Sequence, residues 1–296
     1  MKKAIFKLLL FIVVFAVIDK CSGLIFSWLC RNAKPSYIKN LNSIEQGRND
    51  DILVLGSSRA MHHYDPRIIE DSLNLTCFNG GAMSNGIVLM YGIFKLYIKK
   101  HIPKILIYDI YPPFDLELEE KSKYLQILRP YYDNEDIQSL QIQIDSKEKY
   151  KNISYLYRYN SQAPVIIASF LKEAKNLFNG YAPLFNKMQY DKEFEQPQNI
   201  KFDELKLQLF QRMIADCKNH NIKLVFMVSP AYKKDIHSQI GPIKHFCEDY
   251  NIPLFIHDND TSFSNKDLFY DSVHLNDIGV KKYMGVVLSN LKQIDY

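Results

Sequence analysis

The chain has 296 residues, 37 Lys and Arg against 33 Asp and Glu, and a hydrophobic content of 47%. A net charge of +4 without a long basic run beyond the N-terminus argues against nucleic acid as a partner. Eleven Gly, twelve Pro and 24% charged residues exclude fibrous, low-complexity, disordered and disulfide-knot classes. What remains is a folded chain of one domain of about 250 residues with an appendage, or two small domains.

At the N-terminus, Met1-Lys2-Lys3 is followed by an apolar run over residues 4–18 that only Lys7 breaks. Asp19 and Lys20 interrupt it before a second apolar patch at 24–30. The first run alone is short of the roughly 20 residues that cross a bilayer, and continuation into the second patch reaches that length. Val17-Ile18-Asp19 and Asp19-Lys20-Cys21 lack the small residues of a cleavage site. An uncleaved signal-anchor over 1–30 is therefore expected, in preference to a cleaved signal. Its lysines lie inside, a linker covers 31–49, and the rest is outside the cytoplasmic membrane. The five cysteines form no Cys-x-x-Cys pair, so a metal or redox motif is not expected and buried free thiols are.

From residue 50 onward, short β-branched runs alternate with helical stretches. Strands are predicted at 51–56, 75–78, 102–110, 223–228 and 253–256, and helices at 87–100, 204–219, 240–250 and 277–291. Asn276 is the expected N-cap of the last helix. Strands that are apolar on both faces and alternate with helices predict a parallel sheet covered on both sides, with active residues at the strands' carboxyl ends. Residues 114–199 break the alternation and predict a helical insertion rich in tyrosine, including Tyr124, Tyr131, Tyr132, Tyr150, Tyr155, Tyr157 and Tyr159. Such rings pack an insertion against its sheet more often than they stack on sugars.

Three segments carry groups suited to chemistry. Gly56-Ser57-Ser58-Arg59 follows the first strand, where a serine hydroxyl meets backbone N–H groups able to hold an oxyanion. A serine there serves equally as the cap of the next helix. Asp271-Ser272-Val273-His274 places a carboxylate three residues from an imidazole, within reach on a helical turn, where it can fix the tautomer of the base. Cys77-Phe78-Asn79-Gly80-Gly81 follows the second strand, and its glycines allow a further backbone donor.

Together these segments resemble the SGNH (GDSL-like) hydrolase superfamily. The resemblance implies a three-layer α/β/α fold with a central parallel sheet, flavodoxin-like, over residues 50–296, with the insertion at about 114–199. It implies Ser58 as nucleophile, His274 as base and Asp271 as its orienting carboxylate, with the N–H groups of Ser58 and Gly81 as oxyanion donors. Arg59, His63, Asn79 and Asn160 are the candidates to line the cleft, and neither metal nor other cofactor is expected. Two departures stand out. Ser57 occupies the place of the family's Asp, and Tyr108-Asp109-Ile110-Tyr111 stands where the family carries Gly-x-Asn-Asp. Both resemble the membrane-anchored branch that includes D-alanine transfer and alginate O-acetylation proteins. The implied activity is that of a serine esterase or O-acyltransferase on acylated cell-surface glycan or a small ester, through an acyl-serine. A degenerate glycan-binding member, or a partner of a membrane acyltransferase, is the alternative.

Two rival sites are weaker. Ala82-Met83-Ser84-Asn85-Gly86 has the spacing of a nucleophile elbow, but Asn79-Gly80-Gly81 already ends the strand before it. His62, His63, Asp65, Asp271 and His274 are metal-ligand types, but neighbouring helical residues point in different directions.

Overall fold

The computed structural model describes residues 1–119, 121–189, 200–233 and 235–294. The chain divides into two compact units, one formed by Ile44–Glu120 with Lys175–Tyr296, the other by Met1–Ser43 with Lys121–Ala174. The first part of the insertion belongs with the N-terminal helix, while residue 175 onward belongs with the sheet.

The larger unit is an α/β sandwich. Five strands, β1 (Ile52–Gly56), β2 (Cys77–Asn79), β3 (Ile105–Asp109), β4 (Lys223–Val228) and β5 (Leu254–Ile256), form a parallel sheet in the order β2-β1-β3-β4-β5. Ile52 pairs with both Cys77 and Ile105, and Ile105 with Lys223, so the central strands run in step. β1 and β3 are buried at every position, which explains their unbroken apolar sequences.

Alternate strand residues face opposite layers. Ile52, Val54, Ile105, Ile107, Val225 and Met227 pack in one cluster with Ile69 of helix Pro66–Leu73 and with Val280, Tyr283 and Val287 of helix Asp277–Leu291. On the other face, Phe210 of helix Glu204–Asn219 meets Tyr108 and Phe226 edge-on, with ring centroids 5.2 and 5.8 Å apart. Helix Ile87–Ile98 packs beside Glu204–Asn219 in that layer. The chain leaves β1 toward β2, then crosses back to β3, so the order reverses between β1 and β3. The crevice outside their carboxyl ends is where such sheets hold ligands.

The helices at 204–219 and 277–291 have the expected bounds, and Asn276 caps the latter by accepting the N–H groups of Ile278 and Gly279. β2 begins two residues later than expected. Asn74, in the left-handed region at φ 52°, ends helix Pro66–Leu73, and the chain becomes extended only after it.

The smaller unit is helical. Helix Lys2–Arg31 exposes every side chain over residues 2–18, then packs from Asp19 onward against helices Tyr155–Tyr159 and Ala163–Leu171. Asp19 accepts hydrogen bonds from Ser154 Oγ (2.6 Å) and from the N–H groups of Tyr155 and Leu156 (2.9 Å each). Gly23 lies under Tyr155, whose Cβ and ring atoms would stand 2.5–2.8 Å from any Cβ placed there. Cys30, Ala33, Ile38, Tyr159 and Ile166 complete a small core. Tyr124, Tyr132 and Tyr159 are buried and Tyr150 is exposed, so these rings mostly pack. The last part of the expected insertion, 190–199, lies outside the described residues. All five cysteines are free, and Cys30, Cys77, Cys217 and Cys247 are buried.

Candidate active site

Ser58 is the first residue of helix Ser58–His63, directly after β1. The two roles open for its serine pair are divided between neighbours. Ser57 is the N-cap, its hydroxyl accepting from the Arg59 N–H at 3.3 Å, and the Ser58 hydroxyl takes no part in the cap. Being first in the helix, the Ser58 N–H has no intrahelical acceptor. Ser58 Oγ lies 2.8 Å from His274 Nε2. On the far side of the ring, His274 Nδ1 lies 2.9 and 3.0 Å from the two oxygens of Asp271. These bonds define one arrangement, in which Nδ1–H donates to the carboxylate and Nε2 accepts from the serine hydroxyl.

The Asp-x-x-His spacing works through a tight turn and not through the helical turn expected. Asp271 Oδ1 accepts the N–H groups of both Val273 and His274 at 2.9 Å, while Phe269 and Leu275 close the loop with a β-bridge. Burial alone would raise the Asp271 carboxyl. The His274 hydrogen bond and charge, together with the two backbone donors, outweigh it and hold the carboxyl below its ordinary range. Gly279, four residues beyond Leu275, is required by close approach, because a Cβ there would lie 2.1 Å from Leu268 O.

A buried polar chain supports this loop from below. Leu275 N–H donates to His63 Nε2 at 2.9 Å, so His63 is the Nδ1–H tautomer and donates to Ser229 Oγ at 2.8 Å. Ser229 Oγ in turn donates to Asp109 Oδ2 at 3.0 Å. Asp109 Oδ1 accepts from Ser229 N (2.9 Å) and Tyr64 OH (3.0 Å). Arg59 donates through Nη2 to Ser229 O and Oγ, with its Nε 3.6 Å from Asp109 Oδ2. The ends of β1, β3 and β4 are thus tied to Leu275, the residue after His274. Burial, then the nearby Arg59 and His274, keep His63 well below the ordinary histidine range and therefore neutral. Burial pushes the Asp109 carboxyl up, opposed by Arg59 and its donors.

The expected cleft-lining residues take other places. Arg59 and His63 are wholly buried, both in the polar chain beneath Ser58 and His274. Asn79 is buried as well, its amide donating to Ala60 O (2.7 Å) and Tyr64 O (2.8 Å). Asn160 is exposed, in the helical unit. Gly81, the expected second oxyanion donor, gives its N–H to Asn79 Oδ1 at 2.9 Å. Its lack of a side chain is explained by packing, because a Cβ would stand 2.5 Å from Met61 N. Tyr111 stands just past β3, at the end of the stretch where the resemblance has Gly-x-Asn-Asp. Its ring lies 5.3 Å from the Arg59 guanidinium carbon and edge-on to Phe114 at 5.6 Å.

The rival sites do not assemble. Ser84 is exposed with φ 55°, and among the described residues no hydrogen bond reaches its hydroxyl. Of the five ligand-type residues, Asp65 caps helix Pro66–Leu73 and pairs with Arg67, His62 Nδ1 meets Ala182 O at 2.5 Å, and His63 is committed as above. Among the described residues, Asp235, His237 and Asp258 do bring three ligand-type atoms within 4.8 Å. Asp258, however, is already engaged by the N–H groups of Ile236 and His237.

The Asp109–Ser229–His63 chain is absent from the expectations above. Its sequence signal is an acid or hydroxyl closing an otherwise apolar strand, as in Ile107-Tyr108-Asp109 and Met227-Val228-Ser229.

No protein-family model matches this chain, and no curated protein matches it in sequence. Solved structures with a similar course of the chain include a protein of Desulfitobacterium hafniense DCB-2 assigned to the G-D-S-L lipolytic family. Its identity is 9%, its TM-score 0.41, and the match covers 81% of this chain and 98% of that one. A Bacteroides fragilis NCTC 9343 protein assigned as an acylhydrolase shows 9% identity and a TM-score of 0.40, covering 90% and 93%. The acetyl xylan esterase AlAXEase shows 13% identity and a TM-score of 0.41, covering 82% and 98%.

Proposed function

We propose that this chain is a serine esterase or O-acyltransferase that works through an acyl-serine on Ser58. The observation that carries the reading is the continuous line from Ser58 Oγ through His274 to Asp271 at 2.8–3.0 Å. His274 Nε2 takes the hydroxyl proton as Ser58 Oγ forms a bond to an ester carbonyl carbon. The Ser58 N–H meets the developing oxyanion, and the Gly81 N–H joins it on release from Asn79 Oδ1. The C–O bond to the alcohol then breaks, and that alcohol leaves with the proton held on His274. Water or a sugar hydroxyl, deprotonated by His274, attacks the acyl-serine and regenerates Ser58.

The substrate class in this reading is an acyl, chiefly acetyl, ester of cell-surface carbohydrate. Its support is the resemblance of the Gly56-Ser57-Ser58 block and of the departure at Tyr108–Tyr111 to the anchored SGNH-like branch, together with helix Lys2–Arg31. That helix is long and apolar enough to cross a membrane. The reading places the chain in the cytoplasmic membrane by a single span, with N-terminal lysines inside and the α/β unit outside. A second reading, a non-catalytic glycan-binding member or partner of a membrane acyltransferase, is favoured by one observation, the commitment of the Gly81 N–H to Asn79.

Fluorophosphonate labelling of the full chain separates the two. Labelling that disappears in both Ser58→Ala and His274→Ala is the expected result. Labelling that survives Ser58→Ala overturns the assignment in favour of another serine, and no labelling of the native chain favours the non-catalytic reading.

A further inference from the structure

Residues 4–18 of the N-terminal helix rise 1.5 Å each and so cover about 22 Å, less than the roughly 30 Å of a bilayer's hydrocarbon core. A full span of about 20 residues runs past Asp19, which then lies within the thickness of the membrane. A carboxylate at that depth requires its charge to be met by donors. Asp19 has three: Ser154 Oγ–H and the N–H groups of Tyr155 and Leu156, at the start of helix Tyr155–Tyr159. The segment that supplies them must reach the same depth. Ile153, the residue before Ser154, is 72% exposed.

The rest of the unit's surface fits the same surroundings. Beyond Asp19 the buried stripe of helix Lys2–Arg31 consists of Asp19, Gly23 and Cys30. The opposite face carries Leu24, Ile25 and Trp28, all exposed. A helix facing water would be polar there. Trp28 rests against Phe170 at 5.2 Å, and helix Ala163–Leu171 itself exposes Val165, Ile167 and Leu171. Arg31 and Lys172 follow Cys30 and Leu171 in sequence, Lys34 Nζ donates to Leu171 O at 2.8 Å, and all three are exposed, as suits a layer of anionic headgroups.

We propose that the helical unit is seated in the bilayer, with lipid of the leaflet around Asp19 covering Ile153, Trp28 and Leu171, and that residues 153–156 enter the membrane with Asp19. The occupant is lipid because the apolar face continues the one that residues 4–18 present on the same helix. The proposal rests on the membrane-anchor part of the reading above and is independent of its chemistry.

Trp28 is the chain's single tryptophan, so its emission reports its own surroundings. The full chain is reconstituted in vesicles of brominated phosphatidylcholine with phosphatidylglycerol, and N-acetyltryptophanamide in the same suspension sets the unquenched level. A Trp28→Phe background then receives Ile153→Trp or Leu171→Trp, giving two further probes should one variant fold poorly. The expected result is loss of most emission at positions 28, 153 and 171 relative to vesicles of unbrominated lipid, with little response to aqueous iodide. If the chain floats with the vesicles after an alkaline wash but positions 153 and 171 answer only to iodide, the seating is overturned and the anchor stands. If the chain does not float, the anchor reading itself fails.

Discussion

The two units of this chain bury charge in different ways. In the α/β unit Arg59 and Asp109 are both wholly enclosed, and their partners arrive from three strand ends up to 170 residues apart. In the helical unit Arg129 and Glu148 are nineteen residues apart, with Asn152 and Tyr157 OH on the same carboxylate. Asp19 is met by the start of a single short helix. A network assembled from distant strand ends forms only when the sheet is complete, so it couples the site's geometry to the whole unit. A local cluster such as Arg129–Glu148 reports mainly on its own turn, whereas Asp19 depends on a helix start 135 residues away.

Four measurements break or sharpen this contrast. The largest effect is expected at the triad: Asp271→Asn keeps an oxygen for the Val273 and His274 N–H groups but no longer holds the Nδ1–H tautomer. Ester turnover should fall on the order of 10⁴-fold with an unchanged unfolding midpoint; unimpaired turnover would remove Asp271 from the mechanism. Next, Asp109→Ala strands the buried Arg59 guanidinium and should lower the free energy of unfolding by about 3–5 kcal/mol in a denaturant titration. A loss no greater than that of a surface change would show that the network does not bind the strand ends together. Smaller again, Asp19→Ala leaves three donors unmet, at about 1–3 kcal/mol. Limited proteolysis in detergent should then cut faster within 121–174 while fluorophosphonate labelling persists, and loss of labelling would show that the two units are not independent.

The smallest effect is a change in pH dependence. His63 has a folded pKa well below that of the unfolded chain, so it binds its proton more readily when unfolded. Its contribution to stability is complete above the ordinary histidine value of about 6.5 and is lost as pH falls below it. His63→Gln should flatten part of this acid limb in thermal melts between pH 7 and 5, and an unaltered limb would assign the loss to other groups.

The same contrast explains what could be read from the residues alone. Gly56-Ser57-Ser58 and Asp271-x-x-His274 are contiguous, and each encodes its own turn, so the three side chains that the structure joins by hydrogen bonds could be picked out. Helices 204–219 and 277–291 were legible through their periodicity and the Asn276 cap. The Arg59–Asp109–Ser229–His63 chain was not, because no two of its three strand-end segments are neighbours in sequence. The turn at Asp271 was misread as helical, since a spacing of three suits both an α-helix and an Asx turn. The union of the N-terminal helix with residues 121–174 was hidden for a further reason. Hydropathy marks that a helix is apolar but not which segment later packs on it.

That union has a consequence in time. Asp19 and Ser154 are separated by 135 residues. At a synthesis rate of about 5–20 residues per second, roughly 7 to 27 seconds pass between the emergence of the two. β1, β2 and β3 are all made within that interval. The nascent apolar helix therefore waits with a bare carboxylate near its middle, and whatever receives it first must accept the charge that helix Tyr155–Tyr159 later covers.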